Sequence, residues 1–193
     1  MKSPLRYQAS EYDCGLTSMM NAIMFLFERE EIPPDLVRQI GQCTLDSYDK
    51  EGHEGISGTS GAAIRYFGTW LNELRHGGLL PISSRFLEKE DVVFEKDSDL
   101  TSALLSGCAI VLHVFLNTDN HYTGHYILLT GIENDNFLAF DPYFSAQHKT
   151  SEIDPFSYNQ IIPRNILNDV SKKNYAMGPI STREALVIER HPK

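Results

Sequence analysis

The chain has 193 residues, 41% hydrophobic and 22% charged, which fits one ordinary globular domain and argues against wholesale disorder. Seventeen Lys and Arg against 26 Asp and Glu give a formal charge of −9, and no basic cluster exceeds Lys172-Lys173, so nucleic acid is not the expected partner. The longest nearly apolar run, Ala22 to Phe27, falls far short of the roughly 20 residues that cross a bilayer. No membrane span is expected.

The N-terminus carries no apolar signal core, which points to the cytoplasm. Three cysteines, Cys14, Cys43 and Cys108, form no CxxC pair. A disulfide scaffold and a four-thiolate zinc site are therefore poorly supported, and a reducing compartment is the simplest expectation. No cofactor is implied.

In chain order, the first strong helix follows Asp13. From Leu16 to Phe27 it is apolar nearly all round in its second half, so it should be buried. Asp13 is a suitable N-cap, its carboxylate facing the free N–H groups of the first turn. Pro33-Pro34 closes the segment that follows. A short helix is expected over Asp35 to Gln42, then a polar, glycine-containing surface loop over Asp46 to Gly58. Ser60 caps another helix through Ile64, Phe67, Leu71 and Leu74, ended by Gly77-Gly78.

The charged stretch Glu88 to Asp99 reads as a solvated surface, and Leu100 to Leu105 as a short helix stopped by Gly107. The pattern then turns to strands: Cys108 to Leu116, His121 to Ile132 and Phe137 to Phe140. Turns at Asn117-Thr118-Asp119-Asn120 and Glu133-Asn134-Asp135-Asn136 separate them. A helix near Arg164 to Lys172 and a strand at Glu184 to Glu189 are expected in the less patterned C-terminal part. Helices followed by an antiparallel meander is an α+β order.

Four segments carry chemistry. Cys14 stands at the start of the buried helix, where free backbone N–H groups and the helix dipole favour a thiolate. Gly15 beside it leaves room for a substrate backbone. Gln8, six residues earlier, offers a side-chain amide next to the Cys14 N–H, as an oxyanion hole requires. His125 lies on the expected strand His121 to Ile132, and Gly124 before it permits close approach of another backbone. Asp141, followed by Pro142, ends the next strand, and a two-turn meander brings that end beside the start of the His125 strand. Asp141 could then orient the imidazole, as the third member of a triad does. Each residue alone has a commonplace structural reading; their joint occurrence points to nucleophilic catalysis.

The set Gln8, Asp13-Cys14-Gly15, Gly124-His125-Tyr126 and Asp141-Pro142 resembles the papain-like cysteine peptidases that remove double-glycine leaders from bacteriocin precursors, and their stand-alone relatives. Gly58-Thr59-Ser60 and Leu104-Leu105-Ser106-Gly107 also look like that family's spacing. The resemblance covers about residues 8 to 144, leaving 145 to 193 as an extension of the same single domain. It implies a papain-like fold, with the catalytic helix buried against an antiparallel sheet. It also implies Cys14 as nucleophile, His125 as base, Asp141 as its orienting group and Gln8 in the oxyanion hole, with a peptide or protein as substrate.

Other readings stay open. An acyl or peptidyl transferase would use the same triad, and an inert peptide-binding module would keep only the fold. A metal bound by Asp119, His121 and His125 is the weaker chemistry, since it lacks a second shell and an identified further ligand. His113 is a rival base without an aligned carboxylate, and Cys43 and Cys108 read as structural. Oligomeric state is not legible.

Overall fold

The computed structural model describes residues 1–118, 121–144 and 154–192. Helix α1 (Cys14–Leu26) is followed by α2 (Pro34–Cys43), α3 (Gly61–His76), strand β1 (Ile82–Glu88) and helix α4 (Asp99–Leu105). Strands β2 (Ala109–Thr118), β3 (His121–Glu133) and β4 (Asn136–Phe140) come next, then β5 (Gln160–Pro163), the single turn α5 (Arg164–Leu167) and β6 (Glu184–Arg190). The six strands form one sheet in the order β1-β6-β2-β3-β4-β5, with every neighbouring pair antiparallel. The fold is thus a mixture of helices and an antiparallel sheet.

The sheet buries both faces, and the pleat sorts its side chains between them. Val111, Tyr126, Leu128 and Leu186 face a core filled by α1, α2 and α3. Ile110, Leu112, Val114, Ile127 and Val187 face a second core with α4 and the C-terminal segment. Two-sided burial explains why β2 reads as an unbroken apolar run rather than an alternating one. It also explains α1, whose Met19, Ala22 and Ile23, with Phe27 just past its end, are fully buried. The polar groups of α1 are satisfied: Ser18 Oγ donates to the Tyr126 carbonyl, and the Asn21 amide takes the Arg6 N–H and donates to the Arg6 carbonyl.

Several expectations are corrected. Asp13 occupies the N-cap position, but its carboxylate makes no bond to the first-turn N–H groups. It turns back instead to accept from the backbone N–H groups of Ala9 and Ser10 and from the Ser10 hydroxyl. The helix expected over 164–172 is one turn only: it ends at Asn168, and the Asp169 carboxylate beyond it accepts from the Ser171 N–H and from Lys173. The charged 88–99 stretch is not wholly solvated: Val92 and Phe94 are fully buried, and Phe94 meets Phe137 edge to face. Strands β1 and β5 lie where no strand was expected. Both are sheet edges, so half their backbone pairing and little of their hydrophobic pattern is dictated locally. The tip of the 117–120 turn, with Asp119, lies outside the described residues.

Candidate active site

The segment before α1 is tied down at three points. Asn21 holds Arg6, the Gln8 N–H donates to the Pro142 carbonyl at 2.8 Å, and the Asp13 carboxylate gathers Ala9 and Ser10. These bonds set Gln8 against the end of β4 and bring it into the same cleft as Cys14, His125 and Tyr143. The cleft encloses about 640 Å³. Burial lowers the tendency of Asp13 to ionise, but the Ala9 and Ser10 hydrogen bonds outweigh it and hold the carboxyl below its ordinary value.

His125 and Asp141 are both buried, at 5% and 0% exposure, and the imidazole Nε2 lies 2.7 Å from Asp141 Oδ1. The antiparallel register supplies this contact: Leu128 pairs with Phe140, so the residue after Phe140 falls beside the start of the buried part of β3. Asp141 is itself held on every side. Its Oδ1 also accepts the Tyr143 N–H, its Oδ2 accepts the Tyr175 hydroxyl at 2.8 Å, and the Asn159 amide bonds both its N–H and its carbonyl. A carboxylate so surrounded has no freedom to rotate away from the ring.

The electrostatics converge on a charged pair. Burial opposes ionisation of Cys14, yet its hydrogen bond to His125, the charge of that ring, and the N–H groups of Tyr126 and Gly15 hold the thiol below its ordinary value. Burial likewise opposes charge on His125, but the Asp141 carboxylate and the Cys14 sulfur overcome it and push the imidazole up to about 10. Burial would raise Asp141, but the His125 charge and hydrogen bond, the Tyr143 N–H and the Tyr175 hydroxyl keep it low. With the sulfur held low and the ring held high, the surroundings stabilise a thiolate beside an imidazolium relative to a free thiol and a free imidazole.

Two glycines serve purposes other than those expected. A Cβ on Gly15 would collide with the Thr59 side chain, whose hydroxyl bonds the Thr44 carbonyl, so the space belongs to the loop before α3 and not to a substrate. A Cβ on Gly124 would meet the imidazole of His113 on the neighbouring strand. His113 faces the cleft without a carboxylate partner among the described residues; burial, aided by the His125 charge, lowers it to about 4, so its ring is uncharged at neutral pH. His121 is exposed and does not line the cleft with His125. Among the described residues, the His and carboxylate group within ligand distance is Asp49, Glu51 and His53, on the exposed loop before α3. Cys43 accepts from Gln39, and burial raises the Cys108 thiol, whereas at Cys14 the neighbouring groups outweigh burial and the thiol is lowered.

Sequence reasoning missed Asn159 and Tyr175, which orient Asp141, and Glu184, which lines the cleft. All three come from the C-terminal fifty residues, far from any motif; their roles arise only when β5 and β6 join the sheet.

No protein-family model matches this sequence, and no curated protein does. Among solved structures, a Bacillus anthracis protein assigned by inference as a C39-like peptidase superposes with a TM-score of 0.51. The match covers 98% of this chain and 96% of that one, at 15% sequence identity. From end to end, this chain has the fold of that C39-like structure.

Proposed function

We propose that the chain is a papain-like cysteine peptidase acting through Cys14, His125 and Asp141. The observation that carries this reading is the buried His125–Asp141 pair, at 2.7 Å, set against a half-buried cysteine at the N-terminus of a helix. The Cys14 thiolate attacks the scissile carbonyl carbon, and the carbonyl electrons move to oxygen. Gln8 and the Cys14 N–H receive that oxyanion; the Gln8 amide uses one N–H on the Ser10 carbonyl at 2.7 Å and keeps a second. The His125 imidazolium protonates the leaving amine, and the C–N bond breaks to leave a thioester. Neutral His125 then takes a proton from water as the resulting hydroxide attacks the thioester, and the C–S bond breaks to return the Cys14 thiolate beside the imidazolium so formed, releasing a carboxylic acid that loses its proton to solvent. Asp141 holds the ring in place throughout and exchanges no proton.

The finer placement, among stand-alone relatives of the double-glycine leader peptidases, rests on Gln8, Asp13-Cys14-Gly15, Gly124-His125-Tyr126 and Asp141-Pro142 together. Its support is the shared motif set and the C39-like fold.

The test is a panel of peptide electrophiles followed by mass spectrometry of the intact protein. One adduct, located to Cys14 and lost in His125→Ala, is the expected result. Labelling spread over Cys14, Cys43 and Cys108 alike would contradict the reading. A thioester captured by added amines faster than by water would move the activity to acyl transfer.

A further inference from the structure

The cleft beside Cys14 carries a carboxylate that the mechanism does not use. Glu184, the first residue of β6, lines the cleft together with Cys14 and Tyr126. Tyr126 links the two. Its backbone N–H lies at the Cys14 sulfur, and its hydroxyl donates to Glu184 Oε2 at 2.8 Å. One tyrosine therefore separates thiol from carboxylate, a span that an extended substrate covers in two or three residues at ~3.3 Å each.

Three features show that no cation among the described residues of the fold pairs with this charge. Glu184 stands directly opposite Glu88 in the β1–β6 register, a like-charge pairing that weakens a sheet. Arg65, the nearby cation, bonds Glu88 and lies over the Phe86 ring. Among the described residues no lysine or arginine forms an ion pair with Glu184, and none lines the cleft. The carboxylate has been given space as well: it presses on Gly61, the first residue of α3, where any Cβ would collide with both its oxygens. The helix N-terminus there tolerates the negative charge, while one donated hydrogen bond leaves most of its acceptor sites unfilled. Glu11 adds a second carboxylate to the cleft lining.

We propose that Glu184 is a specificity residue that selects peptides carrying a lysine or arginine side chain within three residues of the bond presented to Cys14. This deepens the peptidase reading and rests on it for the position of that bond. The cation enters the part of the cleft between Tyr126 and the start of α3. There it completes the partner set of Glu184 in partly desolvated surroundings, where a charge pair is worth more than on the surface.

The test separates binding from cleavage. Binding of N-acetylated peptides to the Cys14→Ala variant is measured by fluorescence anisotropy, comparing lysine with its isosteric norleucine at each position. Lysine is expected to bind at least tenfold more tightly at one position, with the preference shrinking as salt rises. In Cys14→Ala with Glu184→Gln, which keeps an acceptor for Tyr126, the lysine-to-norleucine ratio should fall to near one. Equal binding of both peptides to the single variant overturns the proposal, as does a ratio that survives Glu184→Gln. Cleavage by the wild-type chain is measured in parallel on the same peptides. Cleavage without charge preference leaves the peptidase reading standing and removes the specificity one. Charge-selective binding without any cleavage does the reverse.

Discussion

Cys14→Ala is expected to abolish turnover, and His125→Ala to lower kcat by about 10⁴-fold or more, the usual cost of losing a nucleophile or its base. No other group in the cleft can form the thioester, because Cys43 and Cys108 do not line it. The imidazole has two duties: it holds the thiolate and protonates the leaving amine. Asp141→Asn should cost less than either, since Asp141 moves no proton, and Asn159, Tyr143 and Tyr175 still fix the position of residue 141. Steady-state rates on a peptide identified by the electrophile panel check this order. If Asp141→Asn proved as damaging as His125→Ala, the carboxylate would be doing more than orienting the ring.

Gln8→Ala should reduce kcat by about 10² to 10³, the usual effect of removing one oxyanion donor, while leaving KM nearly unchanged. The split between the two constants matters more than the size. Gln8 touches the substrate oxygen chiefly when it becomes an oxyanion, so its loss is felt in the transition state. The segment should keep its shape in the variant, because the Gln8 backbone N–H still bonds Pro142 and the Asp13 carboxylate still holds Ala9 and Ser10. A raised KM with untouched kcat would make Gln8 a binding residue and remove it from the oxyanion hole.

The elements legible in the sequence were those whose pattern reports burial directly. Helix α1 announced itself because it is apolar nearly all round. Strands β2, β3 and β4 did so through β-branched runs separated by turn residues; Asn134 and Asp135 adopt the positive φ of a tight hairpin. The approach of Asp141 to His125 followed from meander geometry. What stayed hidden depends on partners distant in sequence. The strand at β6 was legible, but its pairing between β1 and β2 joins residues roughly 100 and roughly 75 positions apart, with no local signal for either partner. Asn159 and Tyr175 look like ordinary loop polar residues until the sheet places them on Asp141. The glycines misled for a related reason: a glycine reports that something comes close, and Thr59 and His113 are what comes close.

The central claim is that Cys14 is held as a thiolate by His125, and iodoacetamide labelling of the folded protein tests it most directly. Because the sulfur is lowered and the ring is raised to about 10, the reactive form should be more populated at pH 6 than in an ordinary thiol. A thiol of ordinary pKa near 8.5 gains roughly 75-fold in thiolate between pH 6 and 8. Cys14 should gain far less, and at pH 6 it should react well ahead of Cys43 and Cys108, as read by peptide mass spectrometry. His125→Ala should remove that lead. Equal rates for the three cysteines at pH 6, or a lead that persists without His125, would contradict the account.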